Sequence, residues 1–233
     1  MSQTVGAAVM PQSKGVFERI IGIFVSPEPT MQDIAARPSW LLPLLLVTVV
    51  STAGTYFLKD VIVQQEIEKM HQKNMTEEQI QQAMPFMDMM GIIAPSTVLV
   101  FTPVFYLIIA GVAMFIGNVI LGGESKFSTI FAVTCWSGLI TVLSQMINIP
   151  VMANRQSMES ATSLGSFFAS EENKTFFYHL FSQVDLFMLW WVAVLGFGVA
   201  AAYKFSTKKA MTMVFVVWAI FAVGAAVFKS LFS

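Results

Sequence analysis

The sequence predicts an all-α polytopic membrane protein, a helix bundle of about five transmembrane helices with short interfacial helices, and three observations predict it. Of the 233 residues 56 % are hydrophobic and only 12 % are charged, at a mean hydropathy of +0.70. That balance lies outside the usual range of soluble domains. Five stretches free of Asp, Glu, Lys and Arg are long enough to span, and residues 40–58, 96–121, 127–149, 186–203 and 210–228 mark them. Aromatic residues gather near the ends of these stretches, with Trp40, Trp190, Trp191 and Tyr203 placed as an interface belt would place them.

Length and insertion energy justify the spans. A helix rising about 1.5 Å per residue needs about 20 apolar residues to cross about 30 Å of hydrocarbon. Each central Leu, Ile, Phe or Val favours insertion by about 0.3 to 0.6 kcal/mol, whereas one central charge costs about 2.5 to 3.5 kcal/mol. Charge-free runs of this length therefore insert. A soluble bundle would carry a polar face on each helix, and most of these runs are apolar all round.

Residues 1–39 form an amino-terminal segment ahead of a membrane domain at 40–233. Met1 to Gln12 lacks Lys and Arg, so no cleavable signal is expected and the first span doubles as the insertion signal. From Lys14 to Val25 the residues Phe17, Ile20, Ile21 and Phe24 recur at helical spacing, which predicts a short amphipathic helix. It lies on lipid or packs on the protein's own membrane domain. Ser26-Pro27 starts a second helix, which runs through Met31 and Ile34 until Arg37-Pro38 stops it.

In the second span, Pro95 and Pro103 predict an interfacial lead-in or a kink before the helix proper, which ends near Gly122 and Gly123. Residues 60–91 read as a helical hairpin outside the bilayer, and Thr76 with Gln79 has the capping-box pattern that restarts a helix after Asn74. The connection from Pro150 to Asp185 is polar at first and turns aromatic at Phe176, Phe177, Tyr178 and Phe181, so its second half is expected in the interface. Lys204, Lys208 and Lys209 fall on the same side as Lys14, Arg19 and Arg37, and the positive-inside rule makes that side cytoplasmic. The amino terminus is then cytoplasmic and the carboxyl terminus outside, against the opposing Lys59, Lys69 and Lys73. Acids such as Glu66, Glu68, Glu77, Glu78, Glu171 and Glu172 fall outside.

The most patterned candidate site is a polar stripe in the third span, made of Thr134, Ser137, Thr141, Ser144, Gln145 and Asn148. At about 100° per residue these fall on one face. One reading is interhelical hydrogen bonding; the other is a hydrated pathway or small-ligand pocket, with Asn118 of the second span as a partner across the bundle. Small residues four apart, Ala113 with Gly117, Gly196 with Ala200 and Ala222 with Ala226, suit close helix packing.

Catalytic, cofactor-binding and metal-binding residues are not expected. Ionisable residues are missing at depth in the spans, and His71 and His179 lie outside them. No phosphate loop, zinc-protease helix or paired-cysteine motif occurs. The methionines Met84, Met87, Met89 and Met90 suit an amphipathic face better than Cu(I), and Glu68 with His71 lacks the second pair that a di-iron site needs. Cys135 reads as a small buried hydrophobe. A net charge of −1 gives nucleic acid no electrostatic footing. Asn74-Met75-Thr76 and Asn173-Lys174-Thr175 match the glycosylation sequon.

The run Arg19-Ile-Ile-Gly-Ile-Phe-Val-Ser-Pro-Glu-Pro-Thr-Met-Gln-Asp-Ile-Ala-Ala-Arg-Pro-Ser-Trp, ending at Trp40, resembles the lead-in to the first span of prokaryotic members of the Yip (Ypt-interacting protein) family. The junction Leu121-Gly-Gly-Glu-Ser-Lys-Phe-Ser-Thr-Ile-Phe-Ala-Val is similar too, as are five spans after a cytoplasmic amino terminus. For eukaryotic relatives the resemblance implies binding of prenylated small GTPases and pairing with a related membrane partner. This chain lacks their Asp-Leu-Tyr-Gly-Pro type motif, so GTPase binding is not carried over. The expectation is a non-enzymatic scaffold or organiser of a prokaryotic cytoplasmic membrane, with the lipid bilayer, a second copy or a related membrane protein as partner. The alternative is a permeation protein that passes a small solute along the third-span stripe.

Overall fold

Apolar runs become helices here because hydrocarbon offers no partner for a free N–H or C=O, so each span must satisfy its own backbone. The computed structural model describes residues 14–167 and 176–232, and among them the order is entirely helical apart from one isolated bridge between Ser163 and Asp185. The expected sequon at Asn173, the acids Glu171 and Glu172, and the stretch Met1 to Gln12 lie outside the described residues.

The helices are α1 (Val16–Val25), α2 (Pro27–Ala36), α3 (Leu41–Phe57), α4 (Lys59–Gln72), α5 (Glu77–Met114), α6 (Phe127–Ser137), α7 (Leu139–Arg155), α8 (Phe176–Ser182), α9 (Leu186–Tyr203) and α10 (Thr207–Phe232). Four helical segments are long and apolar enough to span: α5 with its continuation, α6 with α7, α9 and α10. A fifth is reached when α3 and α4, which meet at a 55° bend at Leu58, are counted as one broken span. Side-chain register shows that α3 tracks the third span. Trp40 stacks near Phe131 at 5.3 Å, Ser51 meets Gln145, and Gly54 lies against Ile149.

Gly138 interrupts the third span for one residue between α6 and α7. The hydroxyls of Ser137 and Thr141 donate to the carbonyls of Thr134 and Gly138 at 2.7 Å each, a back-bonding that competes with the helix ladder and loosens it locally. Tyr106 of α5 lies against the gap, so a Cβ on Gly138 would come within 2.3 Å of its hydroxyl.

The predicted restart at Thr76 is present in full. The Thr76 hydroxyl accepts from the Gln79 amide at 3.3 Å, and the Gln79 side chain accepts from the Thr76 amide at 2.9 Å. The second span differs from expectation, because α5 runs unbroken from Glu77 through Pro85, Pro95 and Pro103. Each proline removes one hydrogen bond to the residue four back, a local loss that does not end α5 at any of the three. A 38-residue helix is about 57 Å long, more than about 30 Å of hydrocarbon can contain along the bilayer normal, and the start of α5 packs against α4. Leu58, Val61, Ile80 and Met87 are the buried side chains of that hairpin. At its other end α5 passes into a π-helical turn, Phe115–Ile120, where the Leu121 amide reaches the Ile116 carbonyl at 2.9 Å.

The third and fourth spans form the centre, with over half of their residues buried, while α5 and α10 keep most of their surface for lipid. Tyr203 and Trp191 belong to this interior and not to an interface belt. Tyr203 packs into the space that Gly117 leaves, and Trp191 sits among α9's buried neighbours. Trp40 and Trp190 remain at the periphery.

The amino-terminal helices are folded into the same core. Met31 and Ile34 of α2 are fully buried against α6 and α9, and Ile23 of α1 is buried with them. Gly22 permits the turn-back, since a Cβ there would lie 2.2 Å from the Thr30 hydroxyl. Gly198 does the same for α9, with Val133 at 2.8 Å and Met31 at 3.2 Å from the position of an added Cβ. The outer face of α1 keeps Phe17, Ile21 and Val25 at 80 %, 60 % and 74 % exposure, a stripe suited to lipid and not to water. Of the two expected environments of α1, packing on the protein's own membrane domain is the one its buried face shows.

Gly198→Leu should lower thermal stability in detergent by an amount equivalent to about 1 to 3 kcal/mol of overpacking. Gly111→Leu, at a site with nothing within 4 Å, should change it little when both are followed by circular dichroism on heating.

Candidate functional site

The polar stripe is built from helix spacing, and its hydrogen bonds divide it into two parts. In the inner part the hydroxyls turn back on their own helix: Thr134 donates to the Ile130 carbonyl at 2.8 Å, and Ser137 and Thr141 do likewise one turn on. Thr134 and Ser137 are fully buried. In the outer part the amides reach other elements. Gln145 donates to the Ser51 hydroxyl of α3 at 3.0 Å, which joins the first span to the third.

Asn148 is the most connected residue of the stripe. Its Nδ2 donates to the Ser144 carbonyl at 3.1 Å, the Ser144 hydroxyl at 3.2 Å and the Thr162 hydroxyl at 3.2 Å, while its Oδ1 accepts from the Ala161 amide at 3.2 Å. From there the network reaches Asp185. The hydroxyls of Ser160 and Thr162 donate to Asp185 Oδ2, and Asp185 Oδ1 accepts from the amides of Phe187 and Met188 at 2.8 and 3.2 Å. Asp185 is thus the N-cap of α9, where a carboxylate also meets the positive end of the helix dipole. This chain of bonds fastens the outer end of the third span to the start of the fourth.

Asn118 is not brought to the stripe. It sits in the π-helical turn at the opposite end of α5, where Nδ2 reaches the Ser125 carbonyl at 3.5 Å and Oδ1 is buried without a partner among the described residues. On α3, Ser51 faces the stripe, a residue that sequence reasoning passed over. Thr48 and Thr52 of the same helix have buried hydroxyls without a described partner. Three small or hydroxylated residues at three- and four-residue spacing, Thr48, Ser51 and Thr55, were the available signal.

A second polar cluster closes the other end of the bundle. Arg19 of α1, only 7 % exposed, donates from Nε to Asp33 Oδ2 at 2.8 Å and from Nη1 to the Ser39 hydroxyl at 2.9 Å and the Arg37 carbonyl at 3.2 Å. Burial lowers the pKa of the guanidinium, yet an arginine stays charged. Asp33 is shared with Arg37, and the Trp136 indole donates to the Ser39 carbonyl at 2.6 Å with its ring 5.9 Å from the Arg19 guanidinium. Every member of the cluster except Trp136 comes from the run between Arg19 and Trp40. The run's composition thus has a physical meaning, because one buried cation holds α1, α2 and the start of α3 to the third span. The Asp33–Arg37 pair was legible as a four-residue helical spacing, whereas the Arg19–Asp33 pair depends on the turn-back at Ser26.

Between α5 and α10, with α9 as its floor, lies an apolar groove of about 320 Å³ lined among others by Ile109, Val112, Trp191, Leu195, Val214 and Trp218. Among its lining residues only Gln183 and the indoles of Trp191 and Trp218 carry side-chain N–H groups, so it is suited to hydrocarbon. Elsewhere, His71 Nδ1 lies 3.7 Å from Glu77 Oε1, where α4 gives way to α5.

Charge-free spans, a polar end-to-end fastening and lipid-facing outer helices define a multi-pass α-helical membrane protein. The family model for the Yip1 domain matches residues 21–228, nearly the whole chain, and the chain belongs to the Yip1 domain family. No curated protein and no solved structure matches the chain.

Removing one partner of the buried ion pair should be costly. Asp33→Ala leaves the Arg19 charge uncompensated and should destabilise the protein by about 3 to 5 kcal/mol, whereas Arg19→Met with Asp33→Leu should recover much of that loss. Unfolding midpoints of the single and double variants in one detergent check this through a double-mutant cycle.

Proposed function

We propose that this protein is a non-enzymatic scaffold or organiser of a prokaryotic cytoplasmic membrane, acting through helix-helix contacts with a second copy or a related membrane protein. The observation that carries this reading is the state of the third-span stripe. Gln145 and Asn148, its strongest hydrogen-bonding groups, are spent on Ser51, Ser144, Thr162 and the Ala161 amide. Polar groups so engaged hold helices in register and leave few donors or acceptors for a passing solute. The lipid-facing surfaces of α5 and α10 are long, apolar and broad, and are the surfaces through which contact with another membrane protein would run.

The distribution of basic residues supports a cytoplasmic amino terminus and an outside carboxyl terminus. Lys14, Arg19, Arg37, Lys204, Lys208 and Lys209 lie at the end where α1 and α2 pack, joined there by Lys126. Binding of small GTPases is not part of the proposal.

Permeation along the stripe is the reading from a different class, and what favours it is that the buried hydroxyls of Thr48 and Thr52 on α3 have no partner among the described residues. Replacing Thr141, Ser144 and Gln145 together by Val, Ala and Leu separates the two. A scaffold should lose stability or assembly, with each lost interhelical contact amounting to about 0.6 kcal/mol, and glycerol flux into liposomes should stay at the protein-free level for both forms. Glycerol flux in the parent protein that disappears in the variant, with assembly unchanged in cross-linked native membranes, would overturn the proposal.

A further inference from the structure

Two adjoining clefts open at the end of the bundle where α1 and α2 pack, with volumes of about 370 and 260 Å³. They share Gln32, Ala201 and Lys204, so they form one crevice between α2, the loop into α6 and the carboxyl end of α9. Lys126 and Lys204 line it, together with Ser125 and Thr129. Among the described residues neither ammonium lies within 4.0 Å of a carboxylate.

The other charges near the crevice are already engaged or sit apart. Glu28 borders only the second cleft, where its Oε1 accepts from the Thr207 hydroxyl at 3.4 Å. Asp33 is held by Arg19 and Arg37, Glu18 accepts from the Gly15 amide, and Lys14 donates to Thr30. Lys209 donates to the Leu121 carbonyl and lies over the Phe205 ring. Glu124 precedes Ser125 on the exposed turn and lines neither cleft.

The start of α6 adds to the same sign of potential. α6 begins directly after Lys126 with no side-chain cap, and while the Thr129 amide turns back to the Lys126 carbonyl at 3.0 Å, the amides of Phe127 and Ser128 have no partner among the described residues. At the carboxyl end of α9, which contributes the opposite sign, the Ala200 carbonyl accepts from the amides of Lys204 and Phe205, with Lys204 in the left-handed conformation at φ 54°, and the carbonyls of Ala201, Ala202 and Tyr203 have no donor among the described residues, so the positive sign of the crevice rests on Lys126 and Lys204. Two cations, open amides and neutral hydroxyl and amide groups suit a phosphate ester that carries hydroxyls.

Depth identifies the source of that phosphate. The exposed stripe Phe17, Ile21 and Val25 on α1 places the adjoining α2 at the boundary between headgroups and acyl chains. A basic pocket between helices at that level meets anionic lipid before any soluble anion. We propose that this crevice binds the phosphodiester headgroup of an anionic glycerophospholipid, held by Lys126 and Lys204.

The test uses the full chain reconstituted in equimolar dioleoyl phosphatidylglycerol and dioleoyl phosphatidylcholine, with retained lipid counted by native mass spectrometry after mild extraction. The parent should retain phosphatidylglycerol preferentially. Lys126→Gln with Lys204→Gln should reduce that preference about 25-fold, since each lysine near an anionic surface contributes about 1 kcal/mol, or about fivefold. The paired Lys→Arg variant should keep it, and Lys208→Gln with Lys229→Gln, which removes the same charge outside the crevice, should stay within about twofold. Gln32→Glu, which leaves both lysines in place at an exposed position, should also lower retention. An unchanged preference in Gln32→Glu and in the crevice pair, or an equal fall in the outside pair, would overturn the proposal. Displacement of phosphatidylglycerol by millimolar inorganic phosphate would overturn the lipid assignment in favour of a free anion.

Discussion

One constraint governs this molecule: hydrocarbon solvates neither a free backbone group nor an unpaired charge. The spans are helices for the first reason and free of ionised side chains for the second. Where a charge does enter the interior, as Arg19 does, it is met on every side by Asp33, the Ser39 hydroxyl and the Arg37 carbonyl. That arrangement folds α1 back against α2 and the entry to α3, and Trp136, whose indole donates to the Ser39 carbonyl beside the guanidinium, ties the group to the third span.

The remaining polar groups sort themselves by depth along the same logic. Hydroxyls in the middle of the third span turn back to their own carbonyls, so the bundle's centre is apolar toward its neighbours. Amides and carboxylates appear at the ends, where Asn148 and Asp185 fasten one side and the Arg19 cluster fastens the other. The third and fourth spans lie between these two clasps and carry the buried core, while α5 and α10 ride outside and present broad apolar faces. A rigid centre with lipid-facing flanks fits a protein that works by contact within the membrane plane.

Much of this was legible in the sequence, for a reason that is itself physical. Insertion is additive over a run of residues, so the spans announce themselves without tertiary information, and the Thr76–Gln79 cap is a local pattern that needs nothing beyond its own turn. The unbroken α5 was not legible, because a proline marks the loss of one bond and does not by itself say whether the helix ends there, and α5 continues through Pro85, Pro95 and Pro103. The stripe was visible as spacing, but its partners were not: Ser51, Thr162 and Asp185 come from three other segments, and Asn118 faces its own turn at the far end. The Arg19–Asp33 pair was hidden for the same reason, since it exists only once the chain reverses at Ser26.

That reversal, with α2 seated on the fourth span, is the feature on which the account stands. With Cys135 replaced by Ser, the substitutions Gln32→Cys and Ala201→Cys place one thiol on α2 and one on α9 at the walls of the same crevice. Oxidation of native membranes carrying this chain should give an intramolecular disulfide, read as a reducible mobility shift without a dimer band. A chain that stays reduced under conditions that oxidise a neighbouring control pair within α9 and α10 would show that the amino-terminal helices lie away from the bundle.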